Sequence, residues 1–295
     1  DKVAIVSRTR YEWALAEEAI WFAGGVSVPI YETSSPFQIE WILRDSGARV
    51  VFAEDHALRA NVRQAVAQLG EEVRIHIFEG YDQADKSLIP SAGLHQLLVD
   101  PQRVNEELIE SRRTSMRLED VATMVYTSGT TGRPKGAVLT HLAFFHTARS
   151  YERVFGYGPD ERMLLVIPAS HISGLLAVVV AMLQVGGCVV CMRQFQADKV
   201  LDEIAARRIT AAVMVPAMYN LCLLDERVAE RDLSRWRIGH FGGAAMPEVT
   251  IERLADRGVT LVGIDSASID PAGSETLDSH QTIRRLGLRV LENLV

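Results

Sequence analysis

Short apolar runs alternate with longer stretches of helical periodicity from the first residues of the chain. The runs 3–7, 26–30, 49–53 and 73–78 are rich in Val, Ile and Ala, which predicts buried strands. Between them, 11–22 and 58–69 read as helices, and Gly24-Gly25 stops the first of these. Ser35-Pro36 opens another helix, with a capping hydroxyl and a proline suited to the first turn. Residues 79–93 read as a loop and 105–120 as a charged, partly helical connector. A second series follows, with strands at 121–127, 137–140, 162–167, 187–192, 211–215, 237–241 and 259–263. Helices are expected over 142–154, 173–185, 199–207, 218–228 and 247–257, and Thr140 can cap the first of them.

Strands that alternate with helices in this way predict an α/β fold of mainly parallel sheets flanked by helices. Two βα-rich subdomains are placed at 1–110 and 121–263, followed by an atypical tail at 264–295. In that tail, 279–295 can wind as an amphipathic helix with Ile283, Leu286, Val290, Leu291 and Leu294 on one face, able to cover a sheet edge. Sequence foreign to the rest of the chain is the alternative for this segment.

Composition narrows the functional classes. A chain of 295 residues, 48% hydrophobic and 23% charged, can bury a sizeable core and hold two domains. Its net charge of −7 argues against a nucleic-acid partner, which calls for clustered Lys and Arg. An anionic substrate then has to be met by local positive charge, and of the four lysines (Lys2, Lys86, Lys135, Lys199) one stands in a glycine-rich loop. The three cysteines point to a reducing, cytoplasmic setting without a disulfide framework. Cys188 and Cys191 have C-x-x-C spacing, but such a pair on a strand points to opposite faces, so packing in a buried strand is expected rather than metal or redox chemistry. The apolar stretch 175–192 is broken by Gln184 and Gly186-Gly187, which predicts a buried helix and strand rather than a transmembrane span. Peripheral membrane contact and the oligomeric state stay open. No leader peptide is recognised, and residues 1–6 read as a strand that opens abruptly, as though others preceded it.

Candidate chemistry concentrates between Tyr126 and Gly136. Thr127, Ser128, Thr130 and Thr131 bring hydroxyls, Gly129, Gly132 and Gly136 free the backbone, and Arg133 and Lys135 bring charge. Converging main-chain N–H groups, hydroxyl donors and a mobile cation make a phosphate cradle. The Walker loop differs, because its Gly-Lys is followed at once by Ser or Thr at a helix start. Here Lys135 lies between Pro134 and Gly136 and a strand follows, so the cradle sits between two strands.

Residues 126–141 resemble the signature loop of the adenylate-forming (AMP-binding) superfamily, which includes acyl-CoA synthetases, luciferases and peptide-synthetase adenylation domains. Tyr11-Glu12-Trp13, the turn 24–31, the segment 42–48 and Tyr31-Glu32-Thr33-Ser34-Ser35 resemble the N-terminal subdomain of bacterial long-chain fatty acyl-CoA synthetases. The resemblance implies that the chain holds the N-terminal part of the adenylate-forming fold. It further implies that Thr127, Ser128, Gly129, Thr130, Thr131, Gly132 and Lys135 bind the ATP phosphates, with Lys135 and Thr131 catalytic. His171, in Pro168-Ala169-Ser170-His171, would border the acyl pocket. Gly242 and Gly243 would floor it, and Gly243 and Ala244 would meet the adenylate. Both segments lie where a strand gives way to a helix, the edge at which α/β proteins bind ligands. A histidine before a helix is also a common cap, and a small-residue turn also a plain tight turn.

The implied activity is AMP-forming activation of a long-chain fatty acid with ATP, then thioester formation with coenzyme A, with Mg2+ accompanying the ATP. One motif departs from the pattern. Where the family reads Tyr-Gly-x-Thr-Glu, this chain reads Gly263-Ile264-Asp265-Ser266-Ala267-Ser268-Ile269-Asp270. Ser268 can stand for the threonine, and Asp270 is one position beyond the glutamate that helps to hold magnesium. From residue 264 onward no family counterpart is found, and neither the ribose-binding aspartate, the hinge nor the C-terminal domain with its catalytic lysine is recognised. The alternative expectation is therefore a truncated paralogue without turnover that binds nucleotide, an acyl chain or a partner subunit. An amino-acid-activating domain is disfavoured by the N-terminal resemblance.

Overall fold

The computed structural model describes residues 1–79, 105–127, 133–242, 244, 246–259, 261–263 and 278–291, with 261–263, 278–280 and 289–291 described by their backbone alone. Two units emerge, Asp1–Phe145 with Pro168–Ile172, and His146–Ile167 with Ser173–Val295.

The first unit carries strands β1 (Lys2–Val6), β2 (Val26–Ile30), β3 (Val50–Ala53), β4 (Arg74–Ile77), β5 (Val121–Thr127) and β6 (Lys135–Thr140). They form one sheet in the order β4-β3-β1-β2-β5-β6. Every neighbouring pair is parallel except β5 with β6. Ala4, Ile5 and Val6 of β1 are all buried, as in an inner parallel strand covered on both faces, which is why the run is continuously apolar. The helices are α1 (Tyr11–Phe22), α2 (Pro36–Ser46), α3 (His56–Leu69) and α4 (Glu106–Ser115). A full capping box starts α2: the Gln38 N–H donates to Ser35 Oγ, and the Ser35 N–H donates to Gln38 Oε1. Gly47 ends it with a left-handed φ of 73°. Ile39, Leu43 and Val62 share a core with Val28, Ile30 and Val51 of the sheet.

The expected subdomain boundary between 110 and 121 is corrected. β5 joins the first sheet through β2, with Ser27 opposite Thr123, and the division falls inside α5 (His141–Phe155). The Ser27 and Thr123 hydroxyls lie 2.8 Å apart, and the Thr123 hydroxyl donates back to the Ser27 carbonyl at 3.2 Å. Sheets grow by such long-range bonds, which a local pattern does not announce. All but Glu79 of the expected loop 79–93 lies outside the described residues.

In the second unit, β7 (Arg162–Leu165), β8 (Cys188–Cys191), β9 (Ala211–Met214), β10 (Ile238–Phe241), β11 (Leu261–Gly263) and β12 (Arg289–Leu291) form an all-parallel sheet in the order β12-β11-β10-β9-β7-β8. The remaining helices are α6 (172–185), wound as a π-helix over Leu175–Val180, α7 (Ala197–Arg207), α8 (Pro216–Leu223), α9 (Glu248–Ala255) and α10 (Asp278–Arg285). The core gathers Leu164, Met214, Tyr219, Trp236, Phe241 and Leu254, with Tyr219 stacked on Trp236. His240 of β10 is buried beside the Tyr157 hydroxyl, and burial pushes its imidazole down to about 3, so it is neutral.

Three expectations change here. The helix expected over 218–228 begins at Pro216, whose fixed φ suits a first turn, and stops at Leu223. Cys188 and Cys191 are half-exposed rather than buried, because β8 ends its sheet and pairs, among the described residues, with β7 alone. The tail is not one helix: α10 stops at Arg285, Gly287 takes a φ of 67°, and β12 then pairs with β11. Ile283 is buried and Leu286 packs against the core, whereas Val290 and Leu291 fall in the strand and Leu294 lies outside the described residues. Among the described residues no helix is long and apolar enough to cross a membrane.

Candidate functional site

In the first sheet the chain passes from β1 to β2 on one side and returns to β3 on the other. Beyond the carboxyl ends of the strands at such a reversal, an α/β sheet leaves a crevice. One strand along from this reversal, at the ends of β2 and β5, lies a cavity of about 360 Å³. Pro29, Ile30 and Tyr31 contribute from the end of β2, and Val125, Tyr126 and Thr127 from the end of β5. Ser34, Gln38 and Ile42 line the side formed by α2 and the residues before it. Pro134, His171 and Ile172 complete the lining. Most of this surface is apolar, with hydroxyl, amide and imidazole groups set into it, the usual make-up of a small-molecule site.

Thr127 and His171, 44 positions apart in the chain, thus meet at one cavity. Thr127 ends β5 and is paired in register with Lys135, which begins β6; both side chains are exposed. The loop therefore does connect two strands, as expected. Ser128, Gly129, Thr130, Thr131 and Gly132 lie outside the described residues. The segment that presents His171 is held by the Ala169 N–H, which donates to the Thr9 hydroxyl at 2.9 Å, and by the His171 N–H, which donates to the Pro168 carbonyl.

The stems of the loop have structural reasons of their own. Tyr126 is buried and its hydroxyl donates to Asp45 Oδ2 at 2.6 Å. Burial, followed by the Asp45 carboxylate, pushes this phenol above the usual tyrosine range, so it stays a neutral donor. A Cβ on Gly136 would come within 2.9 Å of the Tyr126 ring, so this glycine makes room for an aromatic cross-strand partner. The Trp41 indole N–H donates to the Pro134 carbonyl at 3.0 Å, and the Arg133 guanidinium lies 4.4 Å from the centroid of the same indole.

Gly242 and Ala244 belong to the second unit, where they follow β10; Gly242 is half-buried and Ala244 exposed, and Gly243 lies outside the described residues. Ser268 and Asp270 also lie outside them. Among the described residues no group of three or more His, Cys, Asp or Glu side chains could hold a metal ion. Sequence reasoning did not single out Gln38, Trp41, Ile42 or Asp45 as site residues. A capped helix directly after a strand beside the reversal was the available signal for this wall.

Comparison with known proteins follows the same outline. The AMP-binding enzyme family profile matches residues 1–264. The chain is 35% identical over 264 residues to the long-chain-fatty-acid–CoA ligase FadD15 of Mycobacterium bovis, covering 88% of this chain and 41% of that protein. It is 28% identical over 288 residues to the long-chain-fatty-acid–CoA ligase FadD13 of Mycobacterium tuberculosis, covering 97% of this chain and 54% of that protein. That alignment runs past residue 264, into the tail for which sequence analysis found no counterpart. The inhibitor-bound N-terminal domain of FACL13 from Mycobacterium tuberculosis matches the fold with a TM-score of 0.70 at 25% identity, over 90% of this chain and 61% of that one. The chain spans about half the length of the curated relatives it matches.

Proposed function

The chain belongs to the AMP-binding enzyme family, and from that premise we propose that it carries the nucleotide- and acyl-binding part of an AMP-forming long-chain fatty acyl-CoA ligase. In this reading a fatty acid carboxylate attacks the α-phosphate of ATP and pyrophosphate leaves. The acyl-adenylate then passes its acyl group to the thiol of coenzyme A, and AMP is released. Negative charge grows on the departing pyrophosphate, so the catalyst required is a set of preorganised donors and a cation beside it. Thr127, Ser128, Gly129, Thr130, Thr131, Gly132 and Lys135 are assigned to the phosphates, with Lys135 and Thr131 carrying the catalytic charge stabilisation. His171 is assigned to the acyl-pocket wall, Gly242 and Gly243 to its floor, and Gly243 and Ala244 to the adenylate. Magnesium enters as the counterion of ATP, and no step is routed through a protein metal site. A cytoplasmic location accompanies the reading.

The observation that carries it is the meeting of Thr127 and His171 at one cavity, next to a hairpin whose far stem begins with Lys135. Two segments matched separately to the family's phosphate and acyl motifs thereby border the same space. A second reading, binding of nucleotide or acyl chain without turnover, is favoured by residues 263–270, where the family's tyrosine and glutamate are missing. Fatty-acid-dependent exchange of labelled pyrophosphate into ATP separates the two. Exchange by the chain, falling by about 100-fold or more in Lys135→Ala, is expected for removal of a charged transition-state contact. ATP binding with no exchange at any fatty acid concentration would favour the second reading.

A further inference from the structure

Both stems of the β5–β6 loop are tied to one face of one helix. Tyr126, the penultimate residue of β5, reaches Asp45 across 81 positions of sequence, and Pro134, the residue before β6, is reached by Trp41 across 93. Trp41 and Asp45 lie four positions apart on α2, so their side chains stand one above the other on the same face. Arg133 adds a second contact to Trp41 by lying over its ring. The same helix lines the cavity with Gln38 and Ile42. Its placement is itself well determined, by a capping box at one end, a left-handed glycine at the other, and the buried Ile39 and Leu43 between.

Groups that must first be ordered to meet a ligand bind it less tightly, so strand ends fixed in advance lower that cost. We infer that Trp41 and Asp45 are positioning residues for phosphate binding: α2 holds the two stems so that Thr127 and Lys135 receive the triphosphate in one geometry. The inference rests on the nucleotide-binding reading given above. Trp41 and Asp45 act through the backbone at Pro134 and through the Tyr126 ring, not by touching the ligand. The arrangement also accounts for an exposed aspartate placed opposite a buried tyrosine, and for a tryptophan whose indole N–H is turned toward a backbone carbonyl.

Tyr126→Phe removes the hydroxyl donor and keeps the ring, whereas Trp41→Phe removes the indole N–H and leaves a smaller aromatic ring under Arg133. Hydrogen exchange of peptides covering 126–136 should quicken by about tenfold in either variant, while peptides from β1 and β3 stay within twofold of the parent chain. Titration with MgATP should show the dissociation constant raised about three- to tenfold, the scale of one lost hydrogen bond. Asp45→Asn keeps an acceptor oxygen and should restore both readouts to within twofold, whereas Asp45→Ala should not. Unchanged exchange and affinity in both phenylalanine variants, alongside weakened binding in Lys135→Ala, would overturn the inference alone. Faster exchange spread across the whole first unit would also overturn it, since it would mark Trp41 and Tyr126 as general scaffold. Unaltered ATP affinity in Lys135→Ala would instead defeat the nucleotide-binding reading itself.

Discussion

Glu17 lies on the buried face of α1, 2.5 Å from the Ser27 hydroxyl and with its second oxygen unpartnered. Burial pushes it up to about 8, and the neighbouring Glu18 is pushed up to about 7 by the same cause. The Ser27 hydroxyl donates to Glu17 Oε1 and also faces the Thr123 hydroxyl, which donates in turn to the Ser27 carbonyl. Below pH 4.5 both folded and unfolded chains keep the Glu17 proton, so the fold bears no titration penalty there. Between 4.5 and about 8 the unfolded chain releases the proton while the folded chain retains it, and stability falls as pH rises. The loss is on the order of 4 kcal/mol by pH 8. Urea unfolding from pH 5 to 9 should show this decline, and Glu17→Gln should remove the Glu17 share, leaving the part that Glu18 contributes up to about pH 7. A second residue-scale prediction concerns Gly136. Its alanine variant drives a methyl into the Tyr126 ring and should cost about 1–3 kcal/mol, measured by thermal unfolding. Neither feature was legible in the sequence, where Glu17 reads as one more acid on a helix and Gly136 as backbone freedom for an anion; both depend on partners brought in from another strand.

Elements were far more legible than residues. The inner strands β1, β2 and β5 stand out because strands buried on both faces leave continuous apolar runs, and α1 and α2 have punctuated ends in Gly24-Gly25 and Ser35-Pro36. The tail was misread for a physical reason: a three-residue edge strand such as β12 is too short for periodicity, and its apolar residues fit a helical face equally well. In the structure α10 is fastened to α9. The Thr282 hydroxyl donates to Glu248, Arg285 pairs with Glu252, and Ile283 is buried. Ile283→Ala should therefore destabilise the second unit by about 2–4 kcal/mol. Denaturant titration followed by Trp236 fluorescence checks this, and an unchanged midpoint would mean that the tail helix does not share the core.

At the scale of the molecule, strand order and unit boundaries were not readable along the chain, because they are set by contacts such as Ser27 with Thr123 and Trp41 with Pro134. The α/β class, the loop between two strands and the family were readable, since each rests on local pattern or an unbroken motif. What the fold adds is convergence: the end of β5, the start of β6 and the segment before α6 all belong to the first unit, and Thr127 and His171 border its cavity. On this account the cavity and its hairpin receive ATP. Titrating the isotopically labelled chain with MgATP, and following its amide resonances, tests that claim most directly. The account predicts saturable shifts that are largest at Thr127, Lys135, Gly136 and His171, and that are lost in Lys135→Ala. Saturable shifts confined to residues outside this group, or no shifts at millimolar ATP, would contradict it.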